Sequence, residues 1–229
     1  VRDTRGLVRL AIAGGVMFLV AAAFQQFGII TATVTNSGFL TGLYVVITPL
    51  LVWLWHKKPP ATTVWIAVVL AFVGTWLLGG GTIGGFSTGD LLVAICAFFW
   101  AVHILVTGSA AAHGRPILFN CLQFAVCGLL AFVGALATET VTLSGLIAAW
   151  PAIAYVGLLS SALTFTLLTI AMRYTPASEA AILIAMESLF AALAGALLLG
   201  DRLTPVGWVG ASLMFAATLI VQWAAARKA

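Results

Sequence analysis

Long apolar runs alternate with short polar breaks along almost the whole chain. A helix that crosses a bilayer needs about 17 to 25 mostly apolar residues. Backbone groups in lipid must also be paired within their own segment, and a helix satisfies this requirement. Eight runs are long enough, and they span approximately residues 7–29, 32–55, 63–80, 89–108, 117–138, 146–172, 176–199 and 204–225. The pattern therefore predicts an all-α polytopic membrane protein.

The composition supports this class. Of the 229 residues, 63% are hydrophobic and 7% are charged, whereas a soluble domain carries roughly 25% charged residues. A water-soluble fold of this length could not bury so much apolar surface. The net charge is +4, but the basic residues are scattered over the predicted loops and form no continuous patch, so we predict no nucleic-acid partner.

The basic residues follow every second span. The positive-inside rule assigns this side to the cytoplasm. The residues on this side are Arg2, Arg5, Arg9, Lys57, Lys58, Arg115, Arg173, Arg227 and Lys228. The opposite side carries Asp90, Glu139, Asp201 and a single cation, Arg202. The C-terminus is therefore predicted to be cytoplasmic.

The chain also contains a weak internal repeat. A shift of 143 residues aligns spans two and three with spans seven and eight without a gap. In the second of these pairs, the residues Trp65, Leu70, Phe72 and Thr75 meet the identical residues Trp208, Leu213, Phe215 and Thr218. The paired spans are five spans apart and run in opposite directions, as an inverted repeat requires. We predict a first repeat with three helices at residues 1–80, an outer glycine-rich linker at 81–88, and a second repeat with five helices at 89–229. Two further N-terminal helices are expected for a complete first repeat.

Four sequence motifs follow one another along the chain. They lie at residues 37–49, at residues 89–101, at Gln123 and at residues 173–205. Together they resemble the drug/metabolite transporter superfamily, in particular the EamA-type exporters built from two inverted five-helix repeats. The amino-acid exporters of the YddG type are similar in organisation. The chain departs from the family pattern in having Ser188 after Glu187 instead of proline, and Asp201 instead of glutamate. The resemblance implies a ten-helix fold, of which this chain holds eight helices, in the bacterial cytoplasmic (inner) membrane.

Glu187 is the strongest candidate for a transport site. A carboxylate at the centre of a membrane helix costs about 2.5 to 3.5 kcal/mol, and Glu187 is the only acid near the middle of a predicted span. Its repeat partner is Tyr44, and a pseudo-twofold axis would bring both toward a central cavity. Such a pair could bind an amine or a proton. The alternative is a protonated Glu187 that only holds helix packing.

Other polar groups recur inside the spans. Around Tyr44 they form one stripe at helical spacing, hydroxyls cluster in the sixth span, and an aromatic and an imidazole ring lie one turn apart in the fourth. Each group either lines a cavity or bridges helices. The predicted substrate-binding residues are Glu187, Tyr44, Thr41, Ser37, Thr48, Trp100, His103, Ser160, Thr164, Gln25 and Gln123.

No catalytic motif is found, since the chain lacks His-Glu-x-x-His and Gly-x-Ser-x-Gly sequences, and its three histidines lie on separate predicted elements. We predict neither a metal nor a cofactor. Cys96, Cys121 and Cys127 lack metal-ligand spacing and are expected to be reduced and buried.

We therefore predict a secondary transporter that exports small neutral or zwitterionic metabolites, amino acids foremost, by alternating access. Its partners are a small-molecule substrate, the lipid bilayer and, through Glu187, a proton as candidate coupling ion, in a monomer or a homodimer. One alternative is a nucleotide-sugar or organic-phosphate antiporter of the same superfamily, although such anions require Lys or Arg in the cavity. Another alternative is a membrane scaffold that transports nothing.

Overall fold

A computed structural model describes residues 3–82, 85–199 and 202–227. Within these ranges the chain is helical and contains no strand. The elements are α1 (Thr4–Gly28), α2 (Val34–Thr41), α3 (Tyr44–His56), α4 (Thr62–Leu78), α5 (Thr88–Ala111), α6 (Pro116–Thr138), α7 (Leu143–Ala154), the π-helix π1 (Tyr155–Leu163), α8 (Thr164–Ala171), α9 (Ala177–Ile184), α10 (Met186–Ala194), the π-helix π2 (Gly195–Leu199) and α11 (Pro205–Ala226). Arg2, Asp201, Lys228 and residues 83 and 84 of the predicted linker lie outside the described residues.

Seven helical segments in the described ranges are long and apolar enough to cross a membrane. Three of them join consecutive elements, namely Val34–Trp55, Leu143–Ala171 and Ala177–Leu198. The remaining predicted span, 63–80, corresponds to the apolar helix α4. This helix has 17 residues and therefore meets the lower limit for a crossing. The prediction of an all-α polytopic fold is confirmed, and the chain is an integral membrane protein.

Short polar side chains begin several of these helices. The hydroxyls of Thr33, Thr142 and Thr204 each accept a hydrogen bond from a backbone N–H in the first turn of the helix that follows. At the start of α5, Asp90 N donates to Ser87 Oγ at 3.2 Å, and Ser87 N donates to Asp90 Oδ2 at 2.6 Å. These contacts satisfy N–H groups that a helix leaves unpaired at its N-terminus.

The helix boundaries repeat along the chain at a fixed interval. An interval of 143 residues separates the start of α2 from the start of α9. The same interval separates the starts of α4 and α11, and the ends of α1 and α8. This interval is the one at which the sequence repeats.

The chain divides into two compact units. Unit 1 comprises Val1–Val20 and Leu105–Pro176, and unit 2 comprises Ala21–Ile104 and Ala177–Ala229. Each unit contains segments of both predicted repeats, and the boundaries of the repeats stay a prediction.

The centre of unit 1 is apolar and aromatic. Leu7, Ala11, Ala110 and Phe119 are buried and pack together. Nearby, three phenylalanine rings meet edge to face, with centroids 5.1 to 5.6 Å apart, and they are Phe18, Phe124 and Phe165. Aromatic pairs prefer this geometry, which adds to the stabilisation from burial.

Asn120 links α6 to α8 within unit 1. Its Nδ2 donates to Thr169 Oγ1 at 2.9 Å, and its Oδ1 accepts from Gln123 Nε2 at 2.6 Å. Gln123 and Thr169 are fully buried. A buried polar group requires such partners, because leaving it unpaired is costly.

We expect Asn120→Leu to lower the Tm of the purified protein by about 2 to 8 °C. The substitution removes the bonds to Thr169 and Gln123, and hydrogen bonds between membrane helices contribute about 0.6 to 1.7 kcal/mol each. The measurement is thermal unfolding in detergent. The control is Thr138→Val, since the exposed Thr138 hydroxyl donates its hydrogen bond to Gly134 O of its own helix. Equal Tm values for the two variants would contradict a linking role for Asn120.

One expectation about the cysteines is wrong. Cys96 is buried and Cys127 is partly buried, but Cys121 is exposed. Successive helix positions point about 100° apart. Because the neighbouring Asn120 is directed inward, the next side chain is turned away from the interior.

In unit 2, α4 and α11 pack at very short range through glycines. A Cβ on Gly74 would lie 2.6 Å from Met214 Cγ and 2.8 Å from Gly210 O, and a Cβ on Gly210 would lie 2.5 Å from Gly74 O. Small residues allow this approach in membrane helices. The helix α3 contacts α4 and α9, which places the middle of α2–α3 beside the middle of α9–α10.

Candidate functional site

Unit 2 contains an open cavity of about 280 Å³. It is lined by α1, α2, α3, α4 and α10 and by the junctions within α2–α3 and α9–α10. The lining residues are Gln25, Val34, Ser37, Gly38, Thr41, Gly42, Tyr44, Thr75, Ala185, Glu187 and Ser188. Five of the eleven predicted binding residues are among them, and they are Gln25, Ser37, Thr41, Tyr44 and Glu187.

Both helices that carry the central residues are interrupted at this cavity. The first break separates α2, which ends at Thr41, from α3, and the second separates α9 from α10 at Ala185. At the breaks Leu43 N bonds Leu40 O and Ser188 N bonds Ala185 O, each at 3.2 Å, in the tighter pattern of a 3₁₀ turn. The backbone of Gly42, Leu43 and Ala185 stays right-handed helical, so each interruption is a local tightening of a continuous span, and a short 3₁₀ stretch inside a helix often marks a functional hinge. The second break forms although Ser188 replaces the proline of the family pattern.

Tyr44 and Glu187 meet across the cavity. Each is the eleventh residue of a 22-residue span, in Val34–Trp55 and in Ala177–Leu198. Tyr44 Oη donates a hydrogen bond to Glu187 Oε1 at 3.4 Å. This distance exceeds the usual 2.5 to 3.0 Å for such a bond, so the contact is loose and a ligand group could replace it.

The two partners differ in exposure. Tyr44 is 4% exposed, whereas Glu187 is exposed. A carboxylate at mid-span that faced acyl chains would be costly. The cavity gives Glu187 a polar surrounding at this depth.

The hydroxyls of the second span behave differently from one another. Ser37 and Thr41 line the cavity, and within the described ranges Ser37 Oγ is buried with no hydrogen-bond partner. Thr48 is fully buried and donates to Tyr44 O at 2.7 Å, so its hydroxyl is used inside its own helix. A buried hydroxyl with no protein partner is a position where water or a ligand can bind.

Gln25, Trp100 and His103 form a second polar group of unit 2. Trp100 Nε1 donates to Gln25 Oε1 at 3.1 Å, and the Trp100 and His103 rings meet edge to face with centroids 5.9 Å apart. His103 is buried. Of the three, only Gln25 lines the cavity.

The remaining predicted binding residues belong to unit 1. Gln123 is buried and bonds Asn120, as described above. Ser160 lies in π1 and is exposed, and the exposed Thr164 donates to Leu159 O at 2.8 Å. Substrate binding by these three residues stays a prediction.

Several residues that line the cavity were not among the predicted binding residues. Thr75 lines the cavity from α4, with its hydroxyl bonded to Ala71 O at 2.9 Å, and its position in the internal repeat opposite Thr218 was the available signal. Ser188 and Ala185 lie beside Glu187, and Gly42 approaches Thr75 so closely that a Cβ would lie 3.1 Å from Thr75 Cγ2. Hydropathy does not reveal such contacts because they depend on which helices are neighbours.

A second cavity, of about 270 Å³, lies in unit 1 at the helix ends. Its lining includes Asp3, His113 and Arg115, and Arg115 Nη1 donates to Thr4 Oγ1 at 3.4 Å. It contains none of the predicted binding residues, so the cavity of unit 2 is the candidate site.

Comparisons with known proteins agree with this architecture. A solved crystal structure of a protein with 15% sequence identity matches with a TM-score of 0.74 over 99% of this chain and 89% of the other chain, which shows a shared fold. An uncharacterized transporter of Archaeoglobus fulgidus is 33% identical over 90% of this chain and 66% of its own length.

Two bacterial relatives are also similar. The uncharacterized transporter YwfM of Bacillus subtilis is 27% identical over 90% of this chain and 68% of its own length. The threonine/homoserine exporter RhtA of Escherichia coli K12 is 32% identical over 75% of this chain and 58% of its own length. The chain thus spans between 58% and 68% of the lengths of these relatives.

The model of the EamA-like transporter family matches residues 87–223, which is more than half of the chain. This match confirms the resemblance inferred from the motifs. The chain belongs to the EamA-like transporter family of the drug/metabolite transporter superfamily.

Proposed function

We propose that the cavity of unit 2 is the substrate site of a secondary transporter that exports small neutral or zwitterionic metabolites, amino acids foremost, by alternating access. The main support is the loose Tyr44–Glu187 contact at mid-span, where each of two facing spans contains a 3₁₀ turn. Secondary transporters place their substrate sites near the midplane of the membrane.

The size of the cavity favours a small substrate. Its volume of about 280 Å³ is at the lower end of ligand pockets, which measure about 300 to 1,000 Å³. An amino acid fits this volume better than a nucleotide sugar does.

The charge of the cavity favours the same class. Among the described lining residues Glu187 is the only acid, and none is Lys or Arg. An organic phosphate needs a cation in its site, whereas the ammonium group of an amino acid can pair with Glu187. The buried Ser37 hydroxyl adds a polar group that can bind a ligand. The name of the Escherichia coli relative, a threonine/homoserine exporter, agrees with this substrate class.

Counterflow into liposomes tests the proposal. We expect purified protein in liposomes loaded with unlabelled threonine or homoserine to accumulate the labelled amino acid, and empty liposomes to accumulate none. Repeating the assay with an imposed pH gradient tests the proton as coupling ion. Exchange of nucleotide sugars or organic phosphates, with no exchange of any amino acid, would contradict the proposal.

We expect Tyr44→Phe to raise the KM for the transported amino acid by about 2- to 10-fold, with a much smaller change in maximal rate. The phenol contributes one hydrogen bond, worth about 0.5 to 1.5 kcal/mol, and phenylalanine keeps the packing of this buried ring. Initial rates of counterflow at varied substrate concentration give both parameters. The control is Tyr155→Phe, since Tyr155 is 63% exposed in π1. An unchanged KM in Tyr44→Phe would show that the phenol hydroxyl does not bind the substrate.

A further inference from the structure

The orientation of the Gln25 side-chain amide is determined by chemistry. Trp100 Nε1 lies 3.1 Å from Gln25, and an indole nitrogen can donate a hydrogen bond but cannot accept one. The atom facing it must therefore be the amide oxygen Oε1. The amide nitrogen Nε2 and its two N–H donors are then directed away from Trp100.

Among the described residues, none accepts a hydrogen bond from the amide N–H groups of Gln25. Within the described part of the chain, the side chain of Gln25 makes its one hydrogen bond with Trp100. Gln25 is half-buried and lines the cavity. Its Nε2 is thus a pair of donors that a ligand in the cavity can use.

Neighbouring contacts hold Trp100 in place. The Trp100 ring meets the buried His103 ring edge to face, with an angle of 89° between the planes. Phe24 directly precedes Gln25, and Phe99 directly precedes Trp100. The rings of Phe24 and Phe99 stack in parallel, with centroids 5.7 Å apart. The stack of Phe24 and Phe99 joins α1 to α5, the two helices that carry Gln25 and Trp100, and so holds these two residues at bonding distance.

The cavity therefore contains complementary groups on different helices. Gln25 on α1 supplies N–H donors, and Glu187 on α10 supplies a carboxylate. A carboxylate ligand accepts hydrogen bonds from amide donors, and an ammonium ligand donates to a carboxylate, with both contacts strengthened by charge. If the Gln25 amide were turned around, its oxygen would repel a ligand carboxylate.

We propose that Trp100 is a positioning residue that holds the Gln25 amide with its N–H donors toward the cavity, so that the site selects zwitterionic amino acids. The ligand carboxylate binds Gln25 Nε2 and the ligand ammonium binds Glu187. This inference rests on the proposed function and goes beyond it, since it assigns the recognition of each end of the substrate and the residue that enforces it.

Competition by an amino acid and by the amine that lacks its carboxylate tests the inference. The probes are threonine with isopropanolamine, and alanine with ethylamine, each competing with the labelled amino acid in counterflow. In Trp100→Phe, which keeps an aromatic ring and removes the N–H, we expect inhibition by the amino acid to weaken at least about tenfold. Inhibition by the amine should change less than about twofold, because it does not use Gln25. The matched control is Trp208→Phe, a 58% exposed tryptophan of unit 2.

A second variant covers the case in which Trp100→Phe does not fold. Gln25→Glu keeps the length of the side chain and the bond from Trp100, but presents an acceptor to the cavity. We expect this variant to lose affinity for the amino acids and to retain or gain affinity for the amines.

The possible failures are distinguishable. Wild-type protein that exchanges no amino acid overturns the proposed function and this inference with it. Wild-type exchange combined with equal changes for amino acid and amine in both variants overturns the inference alone. In that case Trp100 serves only packing.

Discussion

Glu187→Gln is expected to reduce amino-acid counterflow by on the order of 100-fold. Glutamine has almost the same shape and can still accept a hydrogen bond from Tyr44, so the packing around Tyr44 is preserved. The charge that pairs with a substrate ammonium is lost, and a hydrogen bond to a charged group contributes about 1.5 to 3 kcal/mol. The measurement is the initial rate of counterflow, normalised to the amount of folded protein in the liposomes.

The control for this prediction is Glu139→Gln. Glu139 is an exposed residue at the C-terminal end of α6, and its substitution should leave counterflow unchanged. A Glu187→Gln protein with wild-type exchange and wild-type substrate affinity would exclude the carboxylate from substrate binding. Its role would then be the helix packing that the sequence left open.

The same variant separates substrate binding from proton coupling. If Glu187 binds the substrate ammonium, Glu187→Gln loses both exchange and transport driven by a pH gradient. If Glu187 only carries the proton, exchange survives and transport driven by the gradient is lost. The exposure of Glu187 and the long bond from Tyr44 favour the first outcome.

The largest effect on stability is expected at the contact of α4 and α11. Gly74→Ala and Gly210→Ala should each lower the free energy of unfolding by about 1 to 3 kcal/mol, as overpacking does in tight interiors. A Cβ at either position meets backbone atoms of the facing helix, which cannot rotate away as a side chain can. The measurement is thermal or denaturant unfolding in detergent.

Two further variants make this prediction specific. Gly134→Ala on α6 is the matched control, since a Cβ there has no neighbour within 4 Å, and we expect a change within about 0.5 kcal/mol. The double variant of Gly74 and Gly210 should be less destabilising than the sum of the single variants, because either one already moves the helices apart. Equal stability of Gly74→Ala and Gly134→Ala would show that α4 and α11 do not pack closely.

The sequence predicted the candidate site in part. Glu187 could be identified because a lone acid in an apolar span is conspicuous, and Tyr44 followed from the repeat interval of 143 residues. Their direct contact agrees with that interval. Thr75 and Ser188 could not be selected, because many spans contain isolated hydroxyls and only the packing of helices shows which ones share a cavity. The orientation of the Gln25 amide depends on an indole 75 residues away in the chain.

The amino-acid sequence by itself determined the all-α membrane class and the approximate positions of the apolar helices, because the free energy of transferring apolar side chains into lipid is local and additive along each run. It also determined the family, through the order of short motifs. The tertiary structure alone decided where α2–α3 and α9–α10 break, how closely Gly74 and Gly210 approach, and which polar residues meet around the cavity. These features depend on contacts between distant segments and on hydrogen bonds exchanged among them, to which the hydrophobicity of a single segment is insensitive.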